Sequence, residues 1–228
     1  MRFRYGLFIT VVFTIASFSC NERRGKYINQ GEIHYSIDYV GKIGSIPKEL
    51  MPQNLVVSFK GDKILFEMIS PIGHSGIMNL ANPEKEIYDT YLSLFTIRYF
   101  YPSEPDEIRP GFENMDGMEI RKTSKSAVIC GYNCKNAEVT FPFDRNKVFN
   151  IWYTDEIKVK NPNISTPYCE IDGVLMSFLF FMGHSILHFE AETVYKKDIP
   201  DNTFDRREKF RRVSREDISK FIDKMINL

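Results

Sequence analysis

The side chains best suited to acid–base or metal chemistry stand together in one short segment of the sequence. They are His184, His188, Glu190 and Glu192. In a β-strand these positions share one face, and side chains two residues apart are separated by about 7 Å. Two of them could ligate a metal, but the helical His-Glu-x-x-His spacing of zinc proteases is absent. Apolar residues alternate with them, so the favoured interpretation is the polar outer face of a strand. No metal and no cofactor is predicted.

No serine stands in a pattern typical of nucleophilic catalysis. Ser75 lies in Gly73-His74-Ser75-Gly76, which lacks the Gly-x-Ser-x-Gly order of a strained nucleophile turn. Glycine-rich phosphate-binding motifs are also missing. The sequence therefore names no catalytic residue, and an enzyme is the least favoured class of function.

The first twenty residues have the order of a bacterial lipoprotein signal peptide. Arg2 and Arg4 precede an apolar run from Tyr5 to Ser19, and Cys20 follows. The run is about 15 residues long, shorter than the ~20 that a membrane-spanning helix needs. Cleavage after residue 19 would leave a lipid-bearing Cys20 at the start of the mature chain. An uncleaved anchor and a signal without lipid are the alternatives.

Three further cysteines, Cys130, Cys134 and Cys169, follow in the mature chain. An exported protein can keep disulfides, so these cysteines are candidates for pairing. Their odd number leaves at least one thiol over within a monomer. The sequence does not choose between a local Cys130–Cys134 bond and a Cys134–Cys169 bond.

The charge balance argues against a nucleic acid partner. Without residues 1–20 the chain has 28 basic and 30 acidic residues, a net charge of about −2, whereas nucleic acid binding needs a concentrated basic surface. One basic cluster lies near the C-terminus: Arg206, Arg207, Lys209, Arg211 and Arg212. A solvated segment is its favoured interpretation, and an anionic partner such as lipid head groups is the alternative.

Alternating apolar residues predict a protein made mainly of antiparallel strands. Aromatic residues make up 14% of the chain, which favours pleated, half-buried strands. Residues 33–39 alternate with a period of two. Asn54–Lys60 and Lys63–Ser70 flank Gly61-Asp62, a spacing that predicts a hairpin with a two-residue turn. The stretch Pro102–Gly117 is rich in proline and glycine and is expected to be a long loop.

The segment Val174–Met182 is the most apolar part of the predicted mature domain. It is expected to be a strand covered on both faces. Four of its side chains share one face and are candidates to line a site for a hydrophobic ligand: Met176, Phe178, Phe180 and Met182. Ordinary core packing is the competing interpretation for each of them.

The C-terminus predicts the one helix of the chain. Ser214 precedes apolar residues at helical spacing, which indicates a helix of about 13 residues with Ser214 as its N-cap. The predicted fold class is therefore mainly β (α+β), a strongly curved antiparallel sheet or half-barrel with this C-terminal helix. We expect a signal peptide over 1–20, a tether over 21–30 and a single domain over 31–228.

Two motifs and the segments around them resemble known proteins. They are Gly131-Tyr132-Asn133-Cys134-Lys135-Asn136-Ala137 and Trp152-Tyr153-Thr154-Asp155-Glu156-Ile157. Their order is similar to an uncharacterised family of exported bacterial proteins near the GLPGLI group. That resemblance implies the half-barrel of the LolA/LolB-type lipoprotein carriers, whose antiparallel strands cup helices. The Gly-Leu-Pro-Gly-Leu-Ile signature itself is absent, and the family has no established activity to transfer.

The expected function is that of a lipid-anchored protein of the cell envelope, placed at the outer membrane, that binds or carries a hydrophobic ligand. It would contact the membrane through its N-terminal lipid. The alternative is a structural lipoprotein that docks a partner protein of the envelope through its sheet or its long loop and binds no small molecule.

Overall fold

The computed structural model describes residues 27–40, 47, 49, 51–71, 75–182 and 185–227, without the side chains of Met182 and of residues 225–227. The predicted signal peptide and Cys20 lie outside these ranges, as does His184. Among the described helices, none has the length and apolarity that crossing a bilayer requires.

The described residues build a single, open, curved sheet of twelve strands. The strands are β1 (Gln30–Val40), β2 (Asn54–Lys60), β3 (Lys63–Ile69), β4 (Gly76–Asn82), β5 (Ile87–Leu94), β6 (Ile97–Pro102), β7 (Glu119–Ile129), β8 (Tyr132–Phe141), β9 (Asp144–Thr154), β10 (Val174–Met182), β11 (Ser185–Tyr195) and β12 (Arg211–Arg212). Their order across the sheet is β12-β6-β5-β4-β3-β2-β1-β11-β10-β9-β8-β7. All neighbours are antiparallel except β12 and β6. The predicted fold class is confirmed.

Strand β1 shows how the side-chain pattern gives the sheet two different faces. The odd-numbered residues from Ile33 to Tyr39 are buried, and the even-numbered ones between them are partly or fully exposed, as the period of two predicts. The register extends the buried face across the sheet, because Tyr35 pairs with Leu55 and Leu55 with Met68. We call this the inner face, and the opposite one the outer face.

The predicted hairpin at Gly61 is confirmed. Strands β2 and β3 pair in register up to Lys60 and Lys63, which leaves two residues for the turn. Gly61 has a φ of +64°, a left-handed conformation that glycine adopts without steric cost. The packed domain reaches into the predicted tether, however: Ile28, assigned to the tether, is 3% exposed and forms an isolated bridge to Ile157. Burial of this side chain fixes the end of the predicted tether to the domain.

The chain after β11 crosses the outer face of β3–β5. We call residues 196–210 the strap. A second hydrophobic cluster lies beneath it: Leu65, Leu80, Ile87, Tyr91, Ile199 and Phe204. Side chains of the sheet also hold the strap's backbone, since Lys60 donates to the Ile199 carbonyl at 3.0 Å and Asn82 to that of Phe204 at 3.0 Å.

Two loops cover much of the inner face. Loop 103–118 brings the ring of Phe112 to 4.6 Å from that of Phe180, between ring centroids. Loop 155–173 places Tyr168 beside the same ring at 6.0 Å, and the Tyr168 hydroxyl donates to the Leu179 carbonyl at 2.6 Å. The predicted long loop is therefore irregular, as expected, but it packs into the core.

The C-terminal helix α1 (Arg215–Asn227) has the predicted length and start. The Ser214 hydroxyl accepts a hydrogen bond from the Asp217 backbone N–H at 3.1 Å, which caps the helix. Ile218 and Ile222 are buried in the main core. The helix lies at the β6 edge, so the inner face is filled mainly by loops.

Candidate functional site

A groove with a cavity of about 40 Å³ opens between the inner face and the two loops. Eight apolar and three polar residues line it: Leu55, Phe66, Met68, Ile77, Pro110, Phe112, Phe180 and Phe189, with Asn79, Arg109 and Thr166. A mostly apolar surface with a few polar groups is typical of small-molecule sites.

The register of three neighbouring strands builds the floor of this groove. Leu55 on β2, Met68 on β3 and Ile77 on β4 are directly paired in turn. The next pairs along the same face bring Phe66 beside Asn79. Phe66 and Met68 are only partly buried, so the floor keeps accessible apolar surface where the loops do not cover it.

Arg109 is the charged residue of the groove, and loop 103–118 carries it. It is 1% exposed. Its two terminal nitrogens donate to the backbone carbonyls of Asp89 and Leu80, both at 3.1 Å. Its backbone N–H donates to the Ser165 carbonyl at 3.1 Å, which ties the two loops together. Its buried Nε has no hydrogen-bond partner among the described residues.

Burial lowers the pKa of Arg109 to about 10, and the negative charge of Asp89 opposes this change. The guanidinium is thus still protonated at neutral pH. A buried donor without a partner is costly, roughly 1–3 kcal/mol or more when charged. The Nε atom is therefore a position where an acceptor from outside the chain would be stabilising.

The side chain of Asp89 binds a second arginine on the other face of the sheet. Arg206 in the strap donates from Nε and Nη2 to its two carboxylate oxygens, at 2.7 and 2.9 Å. The Tyr91 hydroxyl donates to the same carboxylate at 2.7 Å. The Asp89 carboxylate is thus engaged by Arg206 on the outer face, whereas Arg109 contacts the Asp89 backbone carbonyl from the groove.

The four residues predicted to line a ligand site lie in different environments. Phe180 lines the groove. Met176 and Phe178 are 0% and 1% exposed and lie in the core, where Phe178 contacts Tyr35 at 5.6 Å between ring centroids. The side chain of Met182 lies outside the described part. Tyr168 of loop 155–173 lies 6.3 Å from Phe178 between ring centroids, and Met176 belongs to the same buried core, so core packing accounts for these two.

Arg109 was not among the sequence-based candidates. It stands in a proline- and glycine-rich loop, where no periodicity indicates which side chains are buried. An arginine followed by Pro110-Gly111 also matches no binding motif. Only the contacts of this loop with β4 and β5 distinguish Arg109 from the other arginines of the chain.

A larger cleft of about 520 Å³ lies on the surface between residues 105–108 and 159–172. Its charged side chains are solvated, since Asp106 is exposed and Asp172 forms an exposed ion pair with Lys122 at 3.5 Å. Cys169 also lines it. Because water competes at such a surface, the cleft offers less to an apolar ligand than the groove does.

The predicted polar outer face is confirmed for the residues that are described. Glu190 and Glu192 are exposed and His188 is partly exposed. Nε2 of His188 lies 3.0 Å from the Ser177 hydroxyl oxygen, but Ser177 stands in the middle of β10 and not at a nucleophile turn. Within the described ranges, no group of three or more His, Cys, Asp or Glu side chains could hold a metal ion.

No disulfide joins Cys130, Cys134 and Cys169 to one another. Cys130 is in the β7–β8 turn with a φ of +52°, and its sulfur lies 3.0 Å from the Ala191 carbonyl oxygen. Cys134 is buried and pairs across the hairpin with Ala127 instead of Cys130. Burial raises the pKa of the Cys134 thiol to about 11.

Comparison with known proteins identifies the fold and no more. No family model and no curated protein matches the sequence. Two solved structures of PNGF-II, in space groups P21 and C2, are similar, with TM-scores of 0.54 and 0.53 and sequence identities of 19% and 18%. They cover 85% and 86% of this chain, which corresponds to about a third of their own length (33% and 32%). The resemblance to lipoprotein carriers stays a prediction.

Proposed function

We propose that this chain is a lipid-anchored envelope protein whose inner-face groove binds one end of a small apolar or amphipathic molecule. The observation that carries the proposal is the groove itself: accessible Phe66 and Met68 on its floor, Phe180 and Phe112 at its side, and Arg109 as its buried charge. Lipid attachment rests on the sequence order that ends at Cys20.

The size of the cavity limits the ligand. About 40 Å³ is enough for a head group or a short aliphatic end, but drug-sized ligands occupy roughly 300 Å³ or more. A whole acyl chain would have to displace loop residues such as Phe112 and Tyr168 from the inner face. The rest of the ligand therefore extends out of the groove.

Crosslinking tests this proposal with the full chain in its membrane. The probe is a photoactivatable fatty alcohol, which is uncharged, and the crosslinked peptides are mapped by mass spectrometry. We expect saturable labelling of strands β2–β4 around Met68. Labelling confined to other surfaces, or labelling that does not saturate, would contradict the proposal.

A matched pair of variants tests whether labelling depends on the inner face of the sheet. Met68→Trp places bulk on the inner face, and Met78→Trp places the same bulk on the outer face of the adjacent strand, because Met78 pairs with Glu67 and not with Met68. We expect Met68→Trp to reduce labelling severalfold and Met78→Trp to leave it unchanged.

A partner protein of the envelope is the second candidate function, and exposed aromatic residues at one end of the sheet favour it. Phe95 in the β5–β6 turn is 74% exposed and Phe143 in the β8–β9 turn is 59% exposed. The strand directions place both turns at the same end. A photocrosslinker at residue 95 should capture the partner, and one at Val128, 69% exposed near the opposite end, should not.

A further inference from the structure

From the unpartnered Nε of Arg109, we infer that the groove selects molecules with a carboxylate at the buried end of an apolar chain. This inference rests on the proposed function and names the ligand class for the same site.

Three observations about Arg109 converge on an anion. Its side chain is almost completely buried, it lines an otherwise largely apolar groove, and its Nε lacks a partner among the described residues. The bonds to the Asp89 and Leu80 carbonyls engage one N–H of each terminal nitrogen and hold the guanidinium in place. A fixed, buried donor binds a charged acceptor more strongly than a neutral one.

The local charge balance favours a single negative charge. Asp89 is the carboxylate that acts on Arg109, and its two oxygens already accept hydrogen bonds from Arg206. Arg109 is the charged side chain of the groove lining, so a ligand carboxylate would compensate its charge directly. An amine would add a second uncompensated positive charge in a region of low dielectric constant, which is strongly unfavourable.

The polar neighbours of Arg109 fit a small head group. Asn79 lines the groove, and its side-chain oxygen accepts a hydrogen bond from Thr90 at 2.9 Å, which directs the amide oxygen to the protein. Because the Nε atom is itself buried, a side chain of the groove must move before a head group reaches it. Association is then slower than a preformed open site allows.

Competition against the uncharged probe tests the head group. Octanoate, octan-1-ol and octylamine have the same chain length and differ only at one end. We expect octanoate to displace the fatty alcohol at a concentration about tenfold lower than octanol, since a charge-assisted hydrogen bond is worth about a factor of ten or more. Octylamine should compete least of the three.

Variants at Arg109 test whether this residue causes the preference for a carboxylate. Arg109→Lys keeps the charge without Nε, and Arg109→Met removes both; circular dichroism must first show that each retains the β-sheet spectrum. We expect the preference for octanoate over octanol to fall severalfold in Arg109→Lys and to disappear in Arg109→Met. If neither variant folds, competition by octanoate, octan-1-ol and octylamine on the unaltered chain decides whether the groove prefers a carboxylate.

The outcomes separate the two proposals. Equal competition by octanoate and octanol would leave the groove as an apolar site and overturn the carboxylate inference, with a bound water as the partner of Nε. Failure of the fatty alcohol to label the groove at all would overturn both proposals.

Discussion

The carboxylate of Asp89 and the guanidinium of Arg206 form a two-point ion pair that fixes the strap to the sheet. The two nitrogen–oxygen distances are 2.7 and 2.9 Å, and the Asp89 side chain is fully buried whereas that of Arg206 is 47% exposed. The backbone N–H of Arg207 donates to the Tyr91 hydroxyl at 3.0 Å, which completes the attachment.

Arg206→Met should destabilise the protein by about 2–3 kcal/mol. The variant leaves a buried carboxylate with one fewer partner, a change that typically costs about 3–5 kcal/mol for fully buried pairs and less for a half-exposed arginine. Urea unfolding measures the loss. Lys209→Met, at an exposed strap position, is the control and should stay within about 0.5 kcal/mol of the parent. Equal effects of the two variants would mean that the Asp89 pair does not stabilise the strap.

Glu67 makes the stability depend on pH. Burial raises its pKa, which the charge of Arg207 opposes. A raised pKa means that the folded protein binds this proton more tightly than the unfolded chain does. The free energy of unfolding therefore falls as the pH rises from the ordinary glutamate pKa of 4.5 to the raised pKa of the folded state.

Glu67→Gln should therefore raise the free energy of unfolding at about pH 7, and the gain should vanish near pH 4, where the carboxyl is protonated in both states. Glu190→Gln, at an exposed position of the same face, is the control. Urea midpoints at both pH values measure the difference, and a gain of equal size at both would contradict the account.

Cys134 and Cys169 should differ in reactivity. Cys169 is exposed, whereas Cys134 is buried with a pKa raised to about 11. A thiol reacts as the thiolate, so we expect maleimide to modify Cys169 in the native protein and Cys134 only after unfolding. Peptide mass spectrometry identifies the modified sites. The Cys169→Ser variant should lose the fast reaction, and a native protein in which Cys134 reacts first would refute the assignment.

Gly76 is predicted to tolerate no side chain. A Cβ atom there would lie 2.1 Å from the Met68 carbonyl oxygen, a backbone atom that cannot move aside. Gly76→Ala should therefore cost more than about 2 kcal/mol, by analogy with other strained substitutions. Gly61 has open space and a φ of +64°, so Gly61→Asn should cost less than about 1 kcal/mol. Similar unfolding midpoints for the two variants would contradict the register of β3 and β4.

The sequence predicts those parts of the fold that depend on local patterns. The alternation in β1, the turn at Gly61 and the cap at Ser214 are each visible within a few residues, and all three are confirmed. Strand β7, by contrast, runs continuously from Glu119 to Ile129 across a register shift between Lys122 and Ser126, which depends on its pairing with β8 and not on a local pattern.

The candidate site depends on long-range contacts and was only partly predictable. The apolar pattern identifies Phe180 as a candidate, yet it does not distinguish this residue from Met176, because the groove that Phe180 lines is formed with residues of other strands and of two loops, and Met176 is fully buried. Arg109 contacts carbonyl groups 20 and 29 residues away in the sequence. No local pattern records such a contact, so the charged residue of the site emerges only from the structure.

A crystal structure of the chain grown with octanoate tests the central claim most directly. We predict the carboxylate within hydrogen-bonding distance of Arg109 Nε and the alkyl chain between Phe66, Met68 and Phe180, leading out of the groove. An unoccupied groove at a saturating octanoate concentration, or a ligand bound only elsewhere on the surface, would contradict the claim that this groove is the binding site.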